Sequence, residues 1–123
     1  MNDQERYDQG MRVRREVLGD SHVDRAIAKT DSVTRDFQDY ITRNAWGDIW
    51  SRPGLARRER SLITVALLAA LQHEGELAMH IRAALRNGVT REEISEVLLH
   101  TGLYAGVPTA NRALAVAQEV LSE

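Results

Sequence analysis

The chain has 123 residues, 43% of them hydrophobic and 28% charged, which fits one globular domain able to bury its own core. Sixteen basic and eighteen acidic side chains leave a net charge of −2, so charge gives no reason to expect nucleic acid or an anionic membrane surface as a partner. With no cysteine present, disulfides, thiolate metal sites and cysteine nucleophiles are excluded.

The polar start MNDQERYDQG lacks the pattern of a signal peptide. The longest apolar run, Leu62 to Leu71, is too short to cross a bilayer. A cytoplasmic location is the expectation. No segment alternates as a half-buried strand does, and Ala, Leu, Arg and Glu dominate, so the chain reads as all-α, one domain over 1–123 of six or seven helices.

Residues 3–18 predict a weakly periodic first helix ending at Gly19, and a short helical piece follows around 22–29. Over 31–46, Val33, Phe37, Tyr40, Ile41 and Asn44 recur at three- and four-residue steps, predicting a helix with that face buried. A loop over 47–55 holds Trp50 and Pro53, and with Trp46 and Arg52 it reads as a structural corner, a pocket wall being the alternative. From Ala56 to Gln72 the chain turns apolar on all sides after Ser61, as a helix at the centre of an assembly does.

Residues 74–87 predict a helix closed by Asn87-Gly88. Thr90-Arg91-Glu92-Glu93 is a capping box that opens a helix with Ile94, Val97, Leu98 and Thr101 on one stripe. The last helix, 108–122, carries Ala110, Ala113, Leu114, Ala117 and Leu121 as its buried positions, with Pro108 in its first turn. So much apolar surface in so short a chain predicts a homo-oligomer, because a monomer of this length would leave large patches uncovered.

The polar cluster that stands out is HEGELAMHIRAALRNG. His73, Glu76 and His80 are three and four residues apart, sharing one helical face if the helix starts early enough, beside the stripe Leu77, Ile81 and Ala84. Arg82 and Arg86 fall on the opposite side. A Glu–His pair at the rim of a core suits a proton donor working near neutral pH, while spacing alone equally describes an ordinary ion pair on a half-exposed helix. As a metal site the triplet lacks a standard zinc spacing and a completing ligand set, so no metal is expected. In ARRERSL, Arg57, Arg58 and Arg60 stand in the first turn of the apolar helix, where the dipole prefers negative charge. A bound carboxylate would satisfy both the arginines and the free N–H groups; a salt bridge is the plainer alternative. Tyr104, His22 and His100 read as structural, Tyr104 as core packing.

The strings RRERSLITVALLAAL and GELAMHIRAALRNGVTREEISEVLLHTGLYAGVPTANRAL resemble the 4-carboxymuconolactone decarboxylase family, as do MRVRREVLGDSHVDRA and FQDYITRNAWGDIWSRPGL. The resemblance runs from about Gly10 to Val120. In the wider helical superfamily, alkylhydroperoxidases carry a CxxC pair followed by a histidine. Counting back from Gly88, His80 matches that histidine and the cysteine positions fall on His73 and Glu76, so thiol peroxidase chemistry is impossible here. The resemblance implies cofactor-free decarboxylation of γ-carboxymuconolactone, a dianionic lactone, to β-ketoadipate enol-lactone in protocatechuate catabolism, by a homo-oligomer, trimeric or hexameric. The alternatives are a sister decarboxylase or hydrolase on another lactone and a non-catalytic helical oligomer. Within the implied reaction His80 is assigned the general acid, Glu76 its orienting partner, Arg58 or Arg60 first and then Arg57 the carboxylate grip, and His73 a donor to the oxyanion.

Overall fold

Seven α-helices and one π-helix account for nearly the whole chain in the computed structural model, which describes residues 1–123 and contains no strand. The helices fall into two compact units, Met1–Leu55 and Ala56–Glu123.

In the first unit, Asn2 caps α1 (Asp3–Leu18) by accepting from the Glu5 amide at 2.8 Å, which satisfies one of the amides a helix start leaves open. Gly19, at φ 92°, ends α1 and leads directly into α2 (Asp20–Lys29), a left-handed backbone that glycine adopts without penalty. Arg15 ties the two helices together by bonding Asp20 at 3.0 Å and Asp24 at 2.9 Å. The segment expected as one helix over 31–46 is instead α3 (Arg35–Ile41) continued by a π-helix, Thr42–Ile49. The wider pitch is visible in the bond from the Trp50 amide to the Ala45 carbonyl at 2.9 Å.

The buried face read from the sequence is not the one the structure covers. Val33, Phe37 and Tyr40 are exposed, Phe37 at 61%, and the buried residues are Thr42, Trp46 and Gly47. Val33 precedes α3, and α3, which holds Phe37 and Tyr40, buries none of its residues; the covered ones belong to the π-helix, which packs against α1. The expected loop at 47–55 is likewise shorter, since the π-helix runs to Ile49.

Glycine lets α1 and the π-helix approach backbone to backbone. A Cβ on Gly10 would overlap the carbonyl oxygen of Thr42, and one on Gly47 would sit 2.6 Å from the Arg6 carbonyl oxygen. Around this seam Arg6 grips Asp48 with two bonds, Nε to Oδ1 at 3.0 Å and Nη2 to Oδ2 at 2.6 Å, and donates to Asn44 and Asp3 at 2.9 Å. Gln9 donates to the Gly47 carbonyl at 3.0 Å. Arg14, 5% exposed, donates to Gln38 Oε1 at 2.9 Å and to Thr42 Oγ1 at 3.3 Å. Both acceptors are neutral, and burial pushes the Arg14 pKa down from its ordinary value.

The second unit contains α4 (Arg57–Ala70), α5 (Glu74–Arg86), α6 (Arg91–Ala105) and α7 (Val107–Leu121). Its core joins Val65 and Ala69 of α4, Leu77 and Ile81 of α5, Ile94 and Leu98 of α6, and Ala113 and Ala117 of α7. The expected capping box is present: Thr90 Oγ1 accepts from the Glu93 amide at 3.1 Å and Glu93 Oε1 from the Thr90 amide at 3.0 Å. Gly106, at φ 105°, ends α6 and starts α7.

Two apolar surfaces stay uncovered. On α4, apolar all round, Ser61, Val65 and Ala69 are buried, whereas Ile63, Leu67 and Leu71 form an exposed stripe. On α6 and α7, Leu99, Leu103, Val107 and Leu114 are exposed. Leu114, expected inside, is therefore outside, and Val120 is buried where the half-buried Leu121 was expected to be. Tyr104 is no core residue either: it is 79% exposed, its ring 5.1 Å from that of His100.

Gly10→Ala is expected to destabilise the native state by about 3 kcal/mol or more, since the colliding atom is backbone and cannot swing away. Gly54→Ala, whose Cβ meets nothing within 4 Å, should change stability by less than about 0.5 kcal/mol; urea denaturation of both variants makes the comparison. The Arg6 hydrogen bond holds the Asp48 carboxyl below its ordinary pKa. The unfolded chain therefore takes up that proton first, so the pair's contribution is complete above the ordinary aspartate range and fades as pH falls through the lowered native value. Asp48→Asn should flatten the acid limb of a stability–pH curve; an unaltered limb would show that the pair contributes nothing there.

Candidate active site

Helix α5 places the histidine the sequence singled out. Leu77, Ile81 and Ala84 pack into the core at 1% exposure or less, and that stripe carries the neighbouring His80 inward with it. His80 is 8% exposed and its Nδ1 atom is fully buried.

The other two members of the cluster lie at the open end of the helix. His73 is the N-cap residue, with φ −90° and ψ 78°, so it stands just before the helix and its side chain makes no capping bond. Both His73 and Glu76 are exposed. The Glu76 carboxylate makes no hydrogen bond to the imidazole one turn on, although i,i+4 side chains start about 6 Å apart at Cβ. Gln72, immediately before His73, has φ 62°, an uncommon left-handed backbone for a residue with a side chain. No group of three His, Asp or Glu side chains converges closely enough to hold a metal ion, the triplet His73, Glu76 and His80 included.

The arginine turn stands elsewhere along the helix pair. Asn87, just past the end of α5, donates to Ser61 Oγ in the second turn of α4 at 3.1 Å, so α4 begins where α5 ends. Arg57, Arg58 and Arg60 therefore lie at the Asn87 end, and His73 and Glu76 at the opposite one. At 1.5 Å per residue, Glu76 and Asn87 are about 16 Å apart along the axis, with His80 between them. Arg58 is held by two carboxylates, Glu59 at 3.4 Å and Glu93 in closer contact, so the salt-bridge reading describes this residue. Glu93 thereby fastens the start of α4 to the capped start of α6. Arg60 is half-buried with its Nε atom enclosed.

Trp46 and Trp50 form the expected corner within the first unit, their ring centroids 5.2 Å apart and Trp46 buried. Arg14 went unremarked in the sequence, because nothing local to α1 marks which of its arginines will be enclosed by residues about 25 positions away.

An all-helical chain with an enclosed imidazole on a short amphipathic helix, next to a histidine and a carboxylate and with an arginine-rich helix start, has the parts for acid–base work on a small anionic molecule. Residues 35–119 match the model of the carboxymuconolactone decarboxylase family, and the chain belongs to that family. It is 52% identical over its full length to a 4-carboxymuconolactone decarboxylase of Acinetobacter baylyi, covering 92% of that protein. It is also 41% identical over 95% of its length to a nitrosuccinic acid decarboxylase of Metarhizium robertsii, covering 82% of it. A 48-residue match at 54% identity, covering 39% of this chain and 100% of the other, is to a 4-carboxymuconolactone decarboxylase of Pseudomonas putida.

Proposed function

We propose that this chain decarboxylates γ-carboxymuconolactone to β-ketoadipate enol-lactone in protocatechuate catabolism, as a cytoplasmic homo-oligomer, trimeric or hexameric. The observation that carries the reading is the full-length identity of 52% to a protein bearing that activity in its name. The enclosed imidazole of His80 supports it, and the two exposed apolar faces support assembly.

The substrate's chemistry explains why no cofactor is called for. Its departing carboxylate sits on a carbon conjugated through C=C to the lactone carbonyl. When the C–CO2 bond breaks, its electron pair spreads into that carbonyl as a furan-like dienolate, and a proton then adds to the carbon beside the carbonyl. The lactone is its own electron sink, the part that an added cofactor would otherwise supply. What is asked of the protein is to grip the acetate carboxylate, stabilise the oxyanion and supply the proton.

His80 is assigned the proton, because it alone of the candidate set is enclosed, and a donor away from water delivers its proton to the carbanion in preference to solvent. Glu76 acts on it through charge rather than by a direct hydrogen bond, and His73 serves the oxyanion from the same open end. Among the arginines the carboxylate grip falls to Arg58 or Arg60 and then Arg57, Arg58 being already shared with Glu93 and Glu59 and Arg60 being half-buried with its Nε enclosed.

A second reading is favoured by the 41% identity to a nitrosuccinic acid decarboxylase. Nitrosuccinic acid is also a diacid with an electron sink on the carbon that bears a carboxyl group, here a nitro group. The same imidazole and cation would serve it, so the two substrates assayed side by side decide between the readings.

His80→Ala is expected to lower turnover of the lactone by roughly a hundredfold or more, followed by ultraviolet absorbance; an unchanged rate removes the general-acid role. Arg58→Ala and Arg60→Ala should each raise KM, and an unchanged KM in either variant removes that arginine from the carboxylate grip. Dialysis against a chelator should leave the activity intact, and its loss would overturn the cofactor-free mechanism.

A further inference from the structure

The second unit carries a ridge and a groove that are both apolar, both exposed and different in shape. The ridge is the α4 stripe Ile63, Leu67 and Leu71, at i, i+4 and i+8 on one line. The groove runs between α6 and α7 over a floor of Leu98 and Leu114, encloses about 560 Å³ and is walled by Leu99, Leu103 and Val107. A further hollow of about 300 Å³ shares the same two floor residues and extends it toward Arg91. Asn111 is the one side chain lining the larger hollow that bears a polar group, and none there is charged.

We infer that the groove of one copy receives the α4 ridge of a second copy of this chain. The inference rests on the oligomeric reading above and specifies its interface. Exposure supports it: Ile63, Leu67 and Leu71 are 46%, 54% and 62% exposed and Leu99, Leu103 and Val107 are 67%, 74% and 76% exposed, apolar surface of the kind that the core of a standard interface of about 1,600 Å² buries. Shape supports it too, because a row of side chains on a helix packs into the channel between two others. Were the groove to meet its own image across a two-fold axis, covering the α4 stripe would take a second, separate contact. Ridge in groove covers both surfaces with one kind of contact. Made once between neighbouring copies, such a contact joins unlike faces and closes as a ring of three or more subunits; a dimer would have to seat both ridges in both grooves at once across a two-fold axis.

The test uses two purified variants of the full chain, one disabled in each face. Leu67→Glu spoils the ridge and keeps the groove; Leu103→Glu spoils the groove and keeps the ridge. Both positions are exposed, so each variant should keep its helical circular dichroism, and Val107→Lys serves as a second groove variant if Leu103→Glu unfolds. Light scattering should weigh the unaltered chain at three or more subunits and each variant alone as a monomer. An equimolar mixture should weigh as a dimer, one intact ridge seated in one intact groove. A mixture that stays monomeric, a variant that keeps the parental mass, or a parental chain that is a two-fold dimer or a monomer overturns the inference. The enzymatic reading fails separately: an assembled parental chain that leaves the lactone untouched sinks the decarboxylase and spares the interface.

Discussion

Leu77, Ile81 and Ala84 lie on one line of α5, and their burial against neighbouring helices sets the rotation of that helix about its own axis. Once that rotation is fixed, every other side chain on α5 has its direction assigned. At about 100° per residue, His80 falls roughly 60° to one side of Leu77, and Ala83 falls further round the same side. Both are buried, so the covered arc extends well past the core stripe and the imidazole sits inside it. Glu76 points between His80 and Ala83, yet it is exposed. Its exposure comes from its level along the axis, in the first turn where packing has run out. Direction and depth are separate variables, and the difference in depth puts a sheltered imidazole one turn from a wet carboxylate.

Signals that were local survived the passage from sequence to structure. The end of α1 at Gly19, the capping box at Thr90 and the Asn87-Gly88 stop are each made by residues within four positions of one another. The inner stripe of α5 was legible for the same reason. What failed depended on partners distant in the chain. Arg6 finds Asp48 across 42 positions, and Arg14 finds Thr42 across 28; neither pairing leaves a trace in the spacing of its own helix. The π-helix was invisible because a change of pitch adds no new residue type, only a new register, and Phe37 and Tyr40, read as inside, are outside because α3 ahead of it buries none of its residues.

The outward-facing apolar residues teach a related lesson. Leu114, Leu103 and Tyr104 carry the same hydropathy as residues that are buried, and sequence offers no means of telling a core position from an interface position. Leu103 and Tyr104 are 74% and 79% exposed and Leu114 39%, and nothing in the spacing of their helices sets them apart from the buried stripe.

The start of α4 shows how one carboxylate can sort a cluster of like charges. Three arginines within four residues of a helix N-terminus oppose the dipole, an arrangement tolerated only where anions answer it. Glu93 answers Arg58 with one carboxylate oxygen while the other closes the capping box at the start of α6, so the anion is held from two sides. A guanidinium already paired with a carboxylate gains little from a second one, so Arg58 serves the packing of α4 against α6. Arg60, two residues on and half-buried with its Nε enclosed, sits in a less watery setting, where charge interactions are stronger.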